Sequence, residues 1–258
     1  MLEINRLSLE QYLSERNFRV IGKFKDEKIL KNITENTVFD QIELICEFQK
    51  VSMEYEGSAY ITIGNKIGKD IEKYKVWIRN LSKTVSSIKS RNNINAFEHT
   101  LIETAQASLE KAETCINVVN DSDYLGLVKR STRRSELCLG ITYFNNIRKK
   151  NNIEIASLSR CAYNMIEMDL IYFIRRLKKN EIDVDYDKMT NYFCEIQGLN
   201  KNSYMFIKAL SSFPYEYMKC CEKYRLNKNK FNVDYYNIKL KDAMQRDGES
   251  LLLGANIC

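Results

Sequence analysis

"LGITYFNNI", residues 139–147, stands between two short runs whose texture differs from the rest of the chain. "SELC" (135–138) leads into it, and "IRKKNNIEI" (147–155) follows, with β-branched residues on either side of a polar centre. β-Branched side chains pack well on a pleated surface, and Asn-rich centres favour turns. The reading is a strand into the segment, a loop through Gly140, then a hairpin: Ile147–Arg148 outward, a turn over 150–152, and Ile153–Ile155 back. "DYLGLVKRS" (123–131) has a similar look and is assigned to the same small β element.

On both sides the pattern is helical. Ile71, Tyr74, Ile78, Leu81, Val85 and Ile88 recur at alternating spacings of three and four and draw one apolar stripe. Leu101, Ala105, Leu109, Ala112, Ile116 and Val119 draw another, so two long helices joined by the polar "SRNNIN" (90–95) are expected to pair. A helix over about Phe39–Tyr55 precedes them. After Met165 the helical period returns in "MIEMDLIYFIRRLKK", "YDKMTNYFCEIQ", "SYMFIKALSSF", "PYEYMKCCEKY" and "VDYYNIKLKDAMQ". Pro214, the only proline, suits the first turn of a helix, where its missing N–H costs nothing.

Composition narrows the function classes. The 258 residues carry 40 basic and 34 acidic side chains, a net +6 of mixed sign, with 44% hydrophobic residues. That supports a sizeable core and gives no single-signed field of the kind nucleic acid requires. The clearest basic cluster, "KRSTRR" (Lys129, Arg130, Arg133 and Arg134), reads as a surface loop flanking a strand and as a candidate interaction patch for an acidic partner. No apolar run approaches the roughly 18 residues that span a bilayer, and "MLEINRLSLEQYL" has no secretory h-region, so synthesis in the cytoplasm is expected.

Several chemistries find no support. Eight cysteines lack the C-x-x-C pairing of zinc sites, and His99 is the only imidazole, so no metal site or cofactor is expected. Ser-His-Asp and Cys-His hydrolase mechanisms need an imidazole base, and His99 sits at the start of a helical pattern where a solvated residue is expected. "GNKIGKD" (64–70) has three residues between its glycines where a phosphate-wrapping P-loop has four, and Asp70 follows where Ser or Thr would. It reads as a turn before a helix, with Asp70 suited to the N-terminal dipole. Most cysteines sit inside apolar patterns as small core residues; Cys220, Cys221 and Cys258 stand out as possible cross-linking positions.

The order strand, loop, Asn, hairpin, acidic position is the recognisable architecture of kinase-like phosphotransferases, and this stretch resembles it. There an Asp accepts the substrate hydroxyl proton, an Asn five residues on ligates magnesium, and a second Asp after the hairpin holds the metal. "SELCLGITYFNNIRKKNNIEIASLSRCAYNMIEMDLIYFIRRL" (135–177) resembles the corresponding segment of aminoglycoside-phosphotransferase-like and choline-kinase-like proteins. That segment reads roughly "LCHGDxxxxNIL", then "IIDFDRC", then a helix with "DLxYFLR". More narrowly, "SRCAYNMIEMDLIYFIRRL" with the downstream "SFPYEYMKCCEKYR" resembles CotS-type spore coat proteins, and "LICEFQKVSMEYEG" resembles their "LAEFHKASKGY" helix. The resemblance covers about Phe39–Tyr236 and is strongest over Glu136–Arg176.

This resemblance implies an α+β, predominantly α fold: a kinase-like C-terminal lobe over residues 39–250, a truncated N-terminal lobe or ribbon over 1–38, and a tail over 251–258. "FRVIGKFKDEKILKNIT" (18–34) is the candidate two-stranded ribbon. Residue by residue, the loop His falls on Leu139, the glycine is kept as Gly140, and the proton-accepting Asp falls on Ile141. Asn146 matches the metal-binding Asn, the second Asp falls on Ser157, and Asp169 is kept with an implied role of bracing the loop. A butyl side chain accepts no proton, and a serine brings no charge to hold Mg²⁺. The resemblance therefore implies a pseudoenzyme with no catalytic residue, acting among other spore coat proteins after synthesis in the mother cell. The Lys-, Asn- and Ile-rich composition suits an AT-rich clostridial genome. The alternative is a divergent phosphotransferase or nucleotide-binding regulator in which Glu154 or Glu167 is recruited.

Overall fold

The computed structural model describes residues 7–24, 33–56, 63–227 and 232–252. The chain opens with a short helix α1 (Leu9–Ser14), a strand β1 (Phe18–Val20) and the helix α2 (Glu35–Ser52). A two-residue strand β2 (Gly64–Asn65) precedes the long helices α3 (Lys69–Lys89) and α4 (Ala96–Asp121), and α5 (Tyr124–Arg134) follows. Then come β3 (Leu137–Cys138), the hairpin β4 (Ile147–Lys149) and β5 (Ile153–Ile155), and β6 (Ala162–Tyr163). Five helices complete the described chain: α6 (Glu167–Lys179), α7 (Tyr186–Gln197), α8 (Lys201–Ser212), α9 (Tyr215–Leu226) and α10 (Val233–Asp247).

Local signals set these boundaries. Asn95 accepts from the Glu98 N–H, and the Glu98 carboxylate reaches back to the Asn95 N–H, a capping box that starts α4. Asp185 caps α7, and Gly198 in a left-handed conformation ends it. The segment 123–131 was expected to be β, yet it forms α5. Asp123 caps that helix by accepting from the Gly126 N–H, and Leu127 and Ser131, one turn apart, form its buried face. Pro214 stands one residue before α9 rather than inside its first turn.

The apolar stripes read from the sequence bury as expected. Ile71, Tyr74, Leu81 and Ile88 of α3 and Leu101, Ala105, Ala112 and Val119 of α4 enter one large helical core. That core also takes Leu170, Phe173 and Ile174 of α6, Phe206 and Leu210 of α8, and Tyr217 and Tyr224 of α9.

Two three-stranded sheets lie beside this core. The hairpin β4–β5 pairs in the expected register, Ile147 opposite Ile155 and Lys149 opposite Ile153, and β1 adds in parallel to β5. The other sheet runs β2–β6–β3, with β2 parallel and β3 antiparallel to β6. A smaller apolar cluster joins Leu13, Phe18, Phe48, Leu139, Ile147 and Ile155 and fastens α1 and β1 onto α2 and the hairpin. Only the first strand of the candidate ribbon is described, and its partner is β5; residues 25–32 lie outside the described residues. No helix among the described residues is long and apolar enough to cross a membrane.

Candidate functional site

The loop between β3 and β4 is held from beneath by Asp169, in the first turn of α6. Its carboxylate accepts the backbone N–H groups of Leu139 (2.9 Å) and Gly140 (2.8 Å) and the side-chain amide of Gln49 (3.0 Å). Burial pushes its pKa up to about 6 against the pull of those donors. Gly140 is required by its backbone: φ is +72°, and a Cβ there would come within 2.5 Å of the Arg160 carbonyl. From α2, Gln41 donates to the carbonyls of Thr142 (2.9 Å) and Ile147 (3.2 Å), and Thr142 donates its hydroxyl to the Asp169 carbonyl. Two buried glutamines of α2 therefore hold the loop, Gln41 directly and Gln49 through Asp169.

Asn146 is turned inward. Its amide nitrogen donates to the carbonyls of Ile141 (2.8 Å) and Ser157 (3.1 Å), and its oxygen accepts the Ser157 N–H (2.9 Å). It is buried, and both halves of its amide are engaged in joining the loop to the strand end after β5. Leu139 is wholly buried in the smaller apolar cluster, and Ile141 is half-buried at the loop surface. The Ser157 hydroxyl forms a local turn with Ser159.

Kinase-like folds use magnesium, so the fit of these residues to a metal can be tested directly. Neither Ile141 nor Ser157 offers a carboxylate, and the Asn146 side-chain oxygen is occupied by a backbone N–H. No group of three or more His, Cys, Asp or Glu side chains able to hold a metal occurs among the described residues. The two carboxylates considered as replacements are also engaged. Glu154 pairs with Arg148 at 2.7 Å, and Glu167 is buried against Arg130 at 2.7 Å. The residues present do not fit a magnesium site at this loop.

The other candidates are dispersed. "KRSTRR" is the last two turns of α5, not a loop. Lys129, Arg133 and Arg134 are exposed there, but Arg130 points inward, bonded to Glu136 at 2.9 and 3.1 Å, to Glu167, and to the Ser203 hydroxyl at 3.0 Å. Arg130 is therefore removed from the interaction patch. Cys220 and Cys221 are buried in the helical core, with Cys220 pushed up to about 11 by burial, so neither presents a surface thiolate for cross-linking. Cys258 lies outside the described residues. His99 is exposed on α4, its Nδ1 3.4 Å from Glu103.

What the sequence did not disclose is the cleft over the loop. A cavity of about 630 Å³ is floored by residues 140–143 and Asn145 and walled by the start of α3, by α6, by Arg160 and by the start of α9. Among the described residues seven cations line it, Lys66, Lys73, Arg160, Arg175, Arg176, Lys179 and Lys219, against the carboxylates of Asp70 and Glu216. Asp70 is already claimed by Lys73 and by the Tyr172 hydroxyl. Burial works to raise its pKa, but these two donors outweigh it and hold the carboxyl below its ordinary value. The seven cations are spread over more than 150 residues of sequence, so no local spacing announces them.

Comparison with solved structures gives an aminoglycoside phosphotransferase from Alicyclobacillus acidocaldarius subsp. acidocaldarius. The TM-score is 0.67 at 11% identity, covering 91% of this chain and 68% of that one. At that identity the likeness is one of fold. The chain has a kinase-like phosphotransferase fold, mostly helical, with small three-stranded sheets. No family model matches the sequence, and no curated protein matches it.

Proposed function

We propose that this kinase-like chain is non-catalytic and serves a structural, assembly role in the spore coat. The observation that carries the first half is the state of the loop. Its scaffold of Asp169, Gly140, Gln41 and Gln49 is complete, while Ile141 and Ser157, which the resemblance sets at the carboxylate positions, bring no carboxylate, and the Asn146 amide is bonded to backbone groups. General-base catalysis needs a group able to take a proton within hydrogen-bond reach of the substrate, and Ile141 has none. The second half rests on the resemblance of residues 159–177 and 212–225 to CotS-type spore coat proteins, and coat proteins are the partners this reading names.

The test has two arms. Thermal unfolding of the full chain is followed with ATP alone and with increasing Mg²⁺ at fixed ATP. A ligand at 100 times its Kd adds about 2.7 kcal/mol. The expected result is no stabilisation that depends on magnesium and no ATP-dependent phosphorylated product; either one would overturn the non-catalytic reading. In the second arm, coat extracts of purified spores are probed for the protein, and its absence from them refutes the coat role.

A further inference from the structure

The cleft above the loop is built for an anion. Two tyrosines, Tyr74 and Tyr215, form a platform on which cations are seated. The Arg175 guanidinium lies 5.2 and 4.7 Å from the two ring centroids, and the Lys73 ammonium lies 5.0 and 5.9 Å from them. Arg175 is further fixed by bonds to the Tyr74 hydroxyl (2.6 Å) and the Leu210 carbonyl (2.9 Å), while its buried Nε has no hydrogen-bond partner among the described residues. Such seating places positive charge in advance of any ligand, so little ordering cost remains at binding.

The local carboxylates offset only part of it, two against seven cations. Asp70 is held by Lys73 and Tyr172, and Glu216 meets Lys179 and Lys219 only at 4.0 and 3.9 Å. Arg160 and Arg176 have no carboxylate partner among the described residues. Like charges gathered in a concave, partly dry site repel one another, and an anion relieves that repulsion. Ile141 at the floor contributes to the same end, because an aspartate there would add a negative charge beneath the ligand. A second depression of about 220 Å³ shares Lys179, Glu216 and Lys219 with the first and continues the cationic lining through Lys223, Lys239 and Arg246.

We propose that this cleft binds a small molecule carrying linked phosphate groups, without turning it over. The cavity has the volume of a small-ligand site, and the guanidinium groups of Arg160 and Arg176 that line it suit phosphate oxygens in geometry and charge. None of the residues lining it comes from α1, β1 or α2, so the site lies on the helical side of the loop and does not depend on a complete N-terminal lobe. The inference is independent of the coat role, and its readout is magnesium-free binding rather than activity.

Calorimetric titration with inorganic tripolyphosphate at low ionic strength and without magnesium tests it. The wild type should bind, with affinity falling as salt rises. The double variant R176E/K219E, both changes at the rim of the cleft, should weaken binding by about tenfold or more. K129E/R133E, an equal change of charge on the exposed face of α5, should leave affinity within about twofold of the wild type. Thermal melts of both variants show whether each is folded. Three results would overturn the proposal: no binding by the wild type, equal weakening by the two double variants, or citrate binding as tightly as tripolyphosphate.

Discussion

Replacing Asp169 by Asn isolates the element that holds the loop in shape. The wild-type carboxyl has a folded pKa of about 6 against an ordinary value of 3.8, so the folded state binds its proton more tightly than the unfolded chain does. Its contribution to stability therefore grows as pH falls through 6. Between pH 7 and pH 5, linkage with these two values gives a gain of about 1.3 kcal/mol from this group alone. D169N has no such proton to bind, so its stability should rise less over the same interval, by that amount. Asp247, whose pKa burial also raises to about 6, moves both proteins equally and cancels in the difference. The absolute stability at pH 7 is the less clean reading. The amide leaves one of the Leu139 and Gly140 N–H groups without its acceptor, costing about 1–3 kcal/mol, while removing a buried charge acts in the opposite direction. The assay is urea unfolding of both proteins at pH 5 and pH 7, with m-values compared to establish that the same transition is measured. Identical pH slopes would refute the reasoning, because they would mean the carboxyl is not held, buried, beneath the loop.

Other consequences follow from the same geometry. Asn146→Ala leaves the Ser157 N–H and two carbonyls without their partner and should destabilise the fold by about 2–3 kcal/mol in urea unfolding; a neutral outcome would mean the loop is not latched there. Arg130→Met strands the buried carboxylates of Glu136 and Glu167 and should cost about 3–5 kcal/mol, whereas R133M on the exposed side of the same helix should cost less than about 0.5 kcal/mol. In the native protein Cys220 and Cys221 should resist a thiol reagent at pH 8 and react once urea unfolds the chain; fast native labelling of either, located by mass spectrometry, would contradict their burial.

The sequence was legible where one periodicity governed a long stretch. The stripes of α3 and α4 could be read because buried positions recur every turn over more than twenty residues. The hairpin could be read because its turn is polar and its arms are β-branched. α5 was misread for a physical reason: Leu125, Leu127 and Val128 in a segment of eleven residues give too few turns to show a period, and the Asp123 cap that settles the matter is a single residue. The pairing of β1 with β5, some 135 residues away, is invisible to any local pattern, since parallel strands are joined only through the rest of the fold. The cleft was missed for the same reason, as its cations converge from separate turns and helix ends.

These observations also explain how the loop keeps its shape whatever side chains stand at positions 141 and 157. Asp169, Gln41 and Gln49 serve backbone groups, and backbone donors and acceptors exist whatever side chains the loop carries. Removing any of them leaves buried polar groups unpaired, so the scaffold is maintained by the needs of folding. Positions 141 and 157 face no such demand: Ile141 gives the latch only its carbonyl, and Ser157 only its N–H and carbonyl, which any residue other than proline supplies. The stability cost of change is therefore concentrated on the bracing residues and nearly absent at positions 141 and 157. Measured destabilisation should follow the same division, large for substitutions at Asp169 or Asn146 and small for I141V or S157A, and a reversal of that order in urea unfolding would show that the side chains at 141 and 157 carry a load this account does not give them.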